Sequence, residues 1–473
     1  MPHLVWIHRD LRLADNPALF HAARQSATGV VALFQACPEE WREHDDAPVK
    51  IDFWLRNLAE MSKSLAAKNI AMRFTVVKKK DIANDLLRVA REVGAEAAHY
   101  NHEYEVNEAA RNQGAAALLE KSGIKAVGHH TQCLIPPGEV RTGEGRFYTV
   151  YSPFKRACYR LLEESGFEVL PEPRKQAAMV GVPDAIPAVI AGFESPAAPE
   201  HWPAGEATAH RRLARFVETR IASYKDDRDT PSLDATSMLS PHLAAGVLSP
   251  RQCVQPALEF NRGKYDGGNP GAAHWISEVL WRDFYRHIMA GFPRVCMGRA
   301  FKPATERIVW NDDEKAFRAW CEGRTGVPIV DAAMRQLTGI GWMHNRLRMV
   351  AAMYLTKDLF IDWRWGEKFF MHHLIDGDLG SNNGGWQWSA STGTDAAPYF
   401  RIFNPYSQSE KCDPEGAFIK RWVPELAGLD AKSVHDPSAI PALLRGKLDY
   451  PGQPIADHAK ARDRVMKAFQ GLS

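Results

Sequence analysis

The β-forming part of this chain is confined to its beginning. Up to residue 130, short β-rich runs near 4–7, 29–34, 70–77, 97–100 and 124–127 alternate with helix-period stretches near 17–25, 50–68, 81–93 and 106–121. From about residue 206 the patterning is almost wholly helical, clearest over 207–225, 275–290, 329–337, 343–359 and 366–374. Strands alternating with helices predict a parallel, doubly wound, five-stranded sheet of Rossmann-like form. Asp15-Asn16-Pro17 gives the first helix a cap and a first-turn proline. The first strand-to-helix turn, residues 8–16, contains no glycine, so it is not a pyrophosphate-binding fingerprint. Residues 131–205 are rich in proline and alanine and weakly periodic. They predict a long surface connection between an α/β domain, 1–130, and an all-α domain, 206–473.

Tryptophan marks the same division. Of 14 tryptophans, Trp6, Trp41 and Trp54 precede residue 200 and the other 11 follow it. The formal net charge of +2 gives no global basic field, so any nucleic-acid surface must be a local patch. Seven dispersed cysteines form no CxxC pair, which predicts reduced thiols and no metal site. No signal-peptide core opens the chain and no apolar run is long enough to span a bilayer, so a cytoplasmic protein is expected. GxSxG, HExxH and P-loop patterns are absent, which leaves esterase, zincin and P-loop readings without a foothold.

Several polar and aromatic constellations remain. The segment 376–395, DGDLGSNNGGWQWSASTGTD, has almost no aliphatic residue and no apolar period. It predicts a polar, glycine-rich turn that brings backbone to a flat polar ligand, with Trp386 and Trp388 needing burial. The helix WISEVLWRDFYRH places Trp275, Glu278 and Arg282 on one face and Trp281 beside them. An intrahelical Glu–Arg pair is the bland alternative, about equal in weight. Gly339 is expected to end one helix, and the next, beginning near Met343, carries Asn345, Arg348 and Met349 on one face, with Arg346 pointing elsewhere. The hydroxyl-rich Thr236-Ser237-Met238-Leu239-Ser240 suits a phosphate, although alone it reads better as a helix cap. Residues 101–108, NHEYEVNE, read alone as an acidic first helical turn. The pairs His129-His130 and His372-His373 read as ordinary surface or helix residues.

Together these blocks resemble the DNA photolyase and cryptochrome family, specifically the class I cyclobutane pyrimidine dimer photolyases. The likeness runs from Trp6-Ile7-His8-Arg9-Asp10-Leu11-Arg12 with Asp15-Asn16, through Tyr151-Ser152-Pro153-Phe154, to five ordered blocks in the helical part. These are LSPHLAAGVLSPR (239–251), SEVLWRDFYRH (277–287), TGVPIVDAAMRQL (325–337), GWMHNRLRM (341–349) and DGDLGSNNGGWQWSASTGTDAAPYFRIFNP (376–405).

The resemblance implies an α/β antenna domain, a linker and a helical domain holding FAD, active in its reduced anionic form. It assigns Tyr224, Thr236, Ser237, Met238, Leu239, Ser240, Trp275, Glu278, Arg282, Asn345, Arg348, Asp376, Gly377, Asp378 and Asn382 to FAD, with Asn382 facing flavin N5. It gives Trp386, Trp363 and Trp310 an electron-relay role, and makes Glu278 and Asn382 catalytic. Arg228, Glu278, Trp281, Asn345, Arg346, Met349, Trp388, Arg401 and Gln408 match contacts to the dimer and its strand. Asn107 and Glu108 match the pair that binds 5,10-methenyltetrahydrofolate as antenna, while Met297 stands where that type usually has lysine. The implied reaction is light-driven repair of dimers in single- or double-stranded DNA by a monomer without an obligate protein partner. Two other readings stand beside it. One is a cryptochrome-type photoreceptor, disfavoured by Asn382 and by a chain ending at Ser473. The other is a dark flavin oxidoreductase, for which no second-substrate site is found.

Overall fold

A computed structural model describes residues 1–195, 199–440 and 442–472. Pro196 of the expected proline-rich connection, its neighbours 197 and 198, Pro441 and the terminal Ser473 lie outside the described residues. The chain forms two compact units. The first comprises Met1–Lys225, Ser237–Pro293 and Ile375–Gly380, and the second Asp226–Thr236, Arg294–Leu374 and Ser381–Ser473.

The first unit is built on five parallel strands, β1 (His3–Ile7), β2 (Val30–Ala36), β3 (Ala71–Val76), β4 (Ala97–Asn101) and β5 (Lys125–His129). Their order is β3-β2-β1-β4-β5, the doubly wound arrangement expected from the alternation. Register is set by His3, which lies opposite Val30 on one side and Ala97 on the other. β1 is buried along its whole length, as a central parallel strand covered on both faces must be. Helices α1 (Pro17–Gln25), α2 (Pro38–Glu43), α3 (Pro48–Ala67), α4 (Ile82–Glu92) and α5 (Val106–Lys121) connect the strands. Asn16 caps α1 by accepting from the Leu19 N–H at 3.2 Å.

The expected connection 131–205 is more ordered than its composition suggested, since it contains α6 (Tyr151–Ser165). Tyr151, Phe154, Cys158 and Leu162 give that segment a buried stripe that its flanking prolines obscured. The unit continues through α7 (Glu206–Thr219), α8 (Tyr224–Asp227, at its edge), α9 (Ser240–Ala244), α10 (Pro250–Phe260) and α11 (Pro270–Gly291). Gly246, at φ +69°, lies so close to β1's end that a Cβ would stand 2.0 Å from the Arg9 carbonyl. Arg12 donates to the Gly246 carbonyl at 2.8 Å, and Asp15 receives Arg251 and Ser249. Compactness therefore groups 237–293 with the α/β elements, and the units do not coincide with the segments 1–130, 131–205 and 206–473.

The second unit is helical: α12 (Glu314–Cys321), α13 (Pro328–Ile340), α14 (Asn345–Met353), α15 (Trp363–His373), α16 (Leu379–Ala390, its first two residues in the other unit), α17 (Pro405–Cys412), α18 (Ala417–Trp422), α19 (Ala442–Arg445) and α20 (His458–Gln470). α13 runs past Gly339, and the left-handed Gly341, at φ +71°, ends it instead. The next helix starts at Asn345 with His344 as its cap rather than at Met343. A further correction concerns 376–395. Much of it is the helix α16 and not a turn. Its lack of apolar period misled because the helix buries polar side chains: the amides Asn382, Asn383 and Gln387 and the hydroxyl of Ser389 are all buried. Asn383 donates to Glu367 Oε1 at 2.7 Å, and Gln387 bonds Asn383 and the Phe301 N–H. A buried polar helix face holds when each amide finds partners.

Candidate functional site

Within the first unit, α11 carries Trp275, Glu278, Trp281 and Arg282. Trp275 is buried against Phe216, ring centres 5.2 Å apart. Glu278, one turn on, is half-buried, and His274 Nε2 lies 3.4 Å from its carboxylate. Trp281 lies flat on Tyr151 at 3.6 Å and 11°. Tyr224 packs edge-on to Phe216 at 5.6 Å.

No Glu278–Arg282 ion pair forms. Arg282 instead donates to two neutral carbonyls, those of Gln132 and, at 3.1 Å, Leu243. Burial, then the neighbouring Arg286, brings its pKa down to about 10. A buried guanidinium that, among the described residues, bonds only neutral oxygens suits an anionic ligand group. Two neighbours escaped the sequence reading. Arg286 pairs with Asp378 at 2.9 Å, both buried, and Asp283 accepts the Leu134 N–H at 2.6 Å. Burial raises Asp283 to about 6. Their signal was the row of charges at 282, 283 and 286 on an otherwise buried helix. Asp376 is buried as well, with Gly377 between the two acids. Ser237 to Ser240 form the approach to α9, with Met238 left-handed at φ +48°. Such a turn exposes successive backbone groups, and its hydroxyls add donors.

The second unit holds the remaining candidates. Thr236 is half-buried. Asn345 opens α14, whose Arg348 donates to the Met343 carbonyl at 2.8 Å, and Met349 is half-buried. Arg346 points to an ion pair with Asp229, which also lies 3.7 Å from Arg228. Asn382 is buried on α16 and donates to the Glu367 carbonyl at 3.0 Å, which fixes its amide. Trp386 is buried, while Trp388 is half-buried. Arg401 is exposed and Gln408 partly so. Trp363 is buried, and the half-buried Trp310 meets Phe360 at 4.9 Å. Trp386 meets Phe370 at 4.9 Å and Trp320 at 6.0 Å. Trp320 is fully buried and was not singled out from the sequence.

A third group lies at the start of α5, in the first unit. Asn107 Nδ2 is 3.3 Å from His44 Nε2, and Glu108 is 3.5 Å from His44 Nδ1. Arg9 binds Glu103 and Glu105, each at 2.7 Å, and reaches Glu108 at 3.9 Å. Burial, then Glu105, raises the Glu108 carboxyl to about 8. A carboxyl that keeps its proton can donate as well as accept, which suits the edge of a heteroaromatic ring. His129, expected to be ordinary, is half-buried in an imidazole series, bonding the buried His99 at 3.1 Å and stacking on His21 at 5.0 Å.

Residues 3–174 match the family model of DNA photolyase, and residues 275–471 match that of the FAD binding domain of DNA photolyase. The chain is 43% identical to a deoxyribodipyrimidine photo-lyase of Vibrio cholerae, over 99% of both chains. It is 42% identical to that of Escherichia coli, over 99% of this chain and 98% of the other. Among solved structures, a class III photolyase from Agrobacterium tumefaciens superposes with a TM-score of 0.88 at 35% identity, covering 100% of this chain and 97% of that one. A Synechocystis cryptochrome superposes equally well, TM-score 0.88, at 26% identity over 99% of both. No helix among the described residues is long and apolar enough to cross a membrane. The chain belongs to the DNA photolyase family.

Proposed function

We propose that this protein is a deoxyribodipyrimidine photo-lyase of the class I type, repairing cyclobutane pyrimidine dimers in light. What carries the reading is full-length likeness to proteins of that name. Reduced anionic FAD, when bound, supplies the electron that splits the cyclobutane ring and recovers it afterwards. Arg282 faces its diphosphate with help from Ser237 and Ser240, while Asp376 and Asp378 receive donors of the cofactor. Asp378 takes this role beside Arg286, since a carboxylate accepts up to about four hydrogen bonds. Asn382, its amide already oriented by the Glu367 carbonyl, holds a fixed dipole at the flavin edge, in the manner of a preorganised site. Glu278 hydrogen-bonds the dimer, and Trp281 and Trp388 offer flat apolar surface to the lesion. Arg228, Arg346 and Arg401 contact the strand. Photolyases are among the enzymes that flip the target out of the duplex, and a distorted dimer costs less to unstack. Trp310, Trp363 and Trp386 relay electrons inward from the surface. Asn107 and Glu108 hold a folate antenna. We further propose that the enzyme acts as a cytoplasmic monomer.

The test is illumination of the reduced protein with dimer-containing DNA, following recovery of pyrimidine absorbance. Recovery that depends on light and on bound flavin is expected. Its absence from flavin-loaded, reduced protein overturns the reading. Trp310→Phe, assayed alongside, is expected to block photoreduction and leave repair by pre-reduced protein within about twofold; loss of both removes Trp310 from the relay.

A further inference from the structure

Lys357 is fully buried, and no carboxylate bonds to it among the described residues. It lies in a π-helical turn, Tyr354–Asp358, directly after α14. Its ammonium donates to Ser391 Oγ at 2.8 Å and to the Ala390 carbonyl at 3.2 Å, and stands 4.5 Å from the centre of the Phe469 ring. Burial, then Lys302, lowers its pKa to about 7. An ammonium desolvated without a counter-ion is unfavourable, and an apolar side chain would fill the same space at lower cost. What the ammonium gains is the C-terminal end of α16, the negative end of the helix dipole.

Beyond that end the chain reverses. Ser391 adopts the left-handed region at φ +66°. The N–H groups of Thr392 and Gly393 both return to the Gln387 carbonyl at 3.0 Å, and Lys302 N–H holds the Thr392 carbonyl at 2.9 Å. The reversal follows Trp388 by three residues, and the Trp388 carbonyl itself accepts from Ser391 and Ala397, each at 3.3 Å. One buried cation thus holds the two residues, Ala390 and Ser391, at which the chain leaves α16.

We propose that Lys357 is a positioning residue for lesion binding: by holding Ala390 and Ser391 it fixes the reversal that orients the Trp388 indole and the segment leading to Arg401. The inference rests on the reading of Trp388 and Arg401 as DNA contacts. The test compares wild type, Lys357→Met and Ser391→Ala, each loaded with FAD and pre-reduced, in repair of a dimer-containing oligonucleotide under saturating light. Lys357→Met keeps the length and packing of the side chain and removes its donors. KM is expected to rise about tenfold, the loss due to one or two hydrogen bonds, with kcat within about twofold. Ser391→Ala should shift KM the same way by a smaller factor. A Lys357 that merely supports the fold would lower Tm in both variants and leave KM unchanged; that result overturns the proposal. If Lys357→Met fails to retain FAD, Ser391→Ala decides: an unchanged KM overturns the proposal and a raised KM supports it. Wild-type protein that repairs nothing sinks the functional reading instead, so the two failures are distinct.

Discussion

Burial and the neighbouring Glu105 push the Glu108 carboxyl up to about 8, from an ordinary 4.5. A folded-state pKa raised in this way gives stability that is fully present below about 4.5 and is lost as pH rises through about 8. Glu108→Gln keeps the shape and the donor but never ionises. Its Tm relative to wild type is therefore expected to climb between about pH 5 and pH 9, reaching a gain of roughly 1–2 °C if about 1 kcal/mol is recovered. Thermal melts at both ends of that window check it, and a flat difference means that Glu108 is ionised throughout. The acidic neighbours Glu103 and Glu105 were visible in the segment 101–108, but the burial that weighs most, and Arg9, which arrives from the turn after β1, were not. The same holds for Arg286 and Asp378, buried partners 92 residues apart. The resemblance pointed to Asp378 and could not say what already bonds it.

At the scale of elements, most of the fold was legible, and for a physical reason. Strands β1, β2 and β4 are short, largely apolar runs buried almost throughout, and α4 between them shows a clear amphipathic period, so these elements advertise their own burial. α16 does not, since it buries Trp386 together with amides, and satisfies the amides through Glu367 and its own Asn383. Its place depends on α15. A Cβ on Gly366 would stand 2.1 Å from the Trp386 ring, so glycine is what lets the two helices approach. Gly366→Ala is expected to destabilise the protein by about 1–3 kcal/mol, as overpacked cores do, and to displace Trp386. Urea denaturation measures the first effect. Photoreduction measures the second, and should slow even in variant protein that keeps its flavin. An unchanged photoreduction rate would mean that Trp386 tolerates the shift.

For the whole molecule, a formal charge of only +2 decides how DNA is held. Without a global field, attraction must come from a few phosphate contacts, and each neutralised phosphate contributes about −0.7 to −0.9 to the slope of log K against log salt. Arg228, Arg346 and Arg401 together predict a shallow slope of about −2 to −3. The three are not equivalent. Arg346 is already bonded to Asp229, and Arg228 lies 3.7 Å from the same carboxylate, whereas Arg401 is exposed. Arg401→Ala should therefore reduce the slope by nearly one full contact, and Arg346→Ala by less, because its charge is partly neutralised before DNA arrives. Trp388→Ala acts on another term: stacking carries no counterion release, so it should leave the slope alone and lower the preference for dimer-containing over intact DNA. Titrations of both DNAs across a salt series separate these outcomes. A steep slope would instead require many more cations at the strand than those proposed, and would move the DNA surface to residues not yet named.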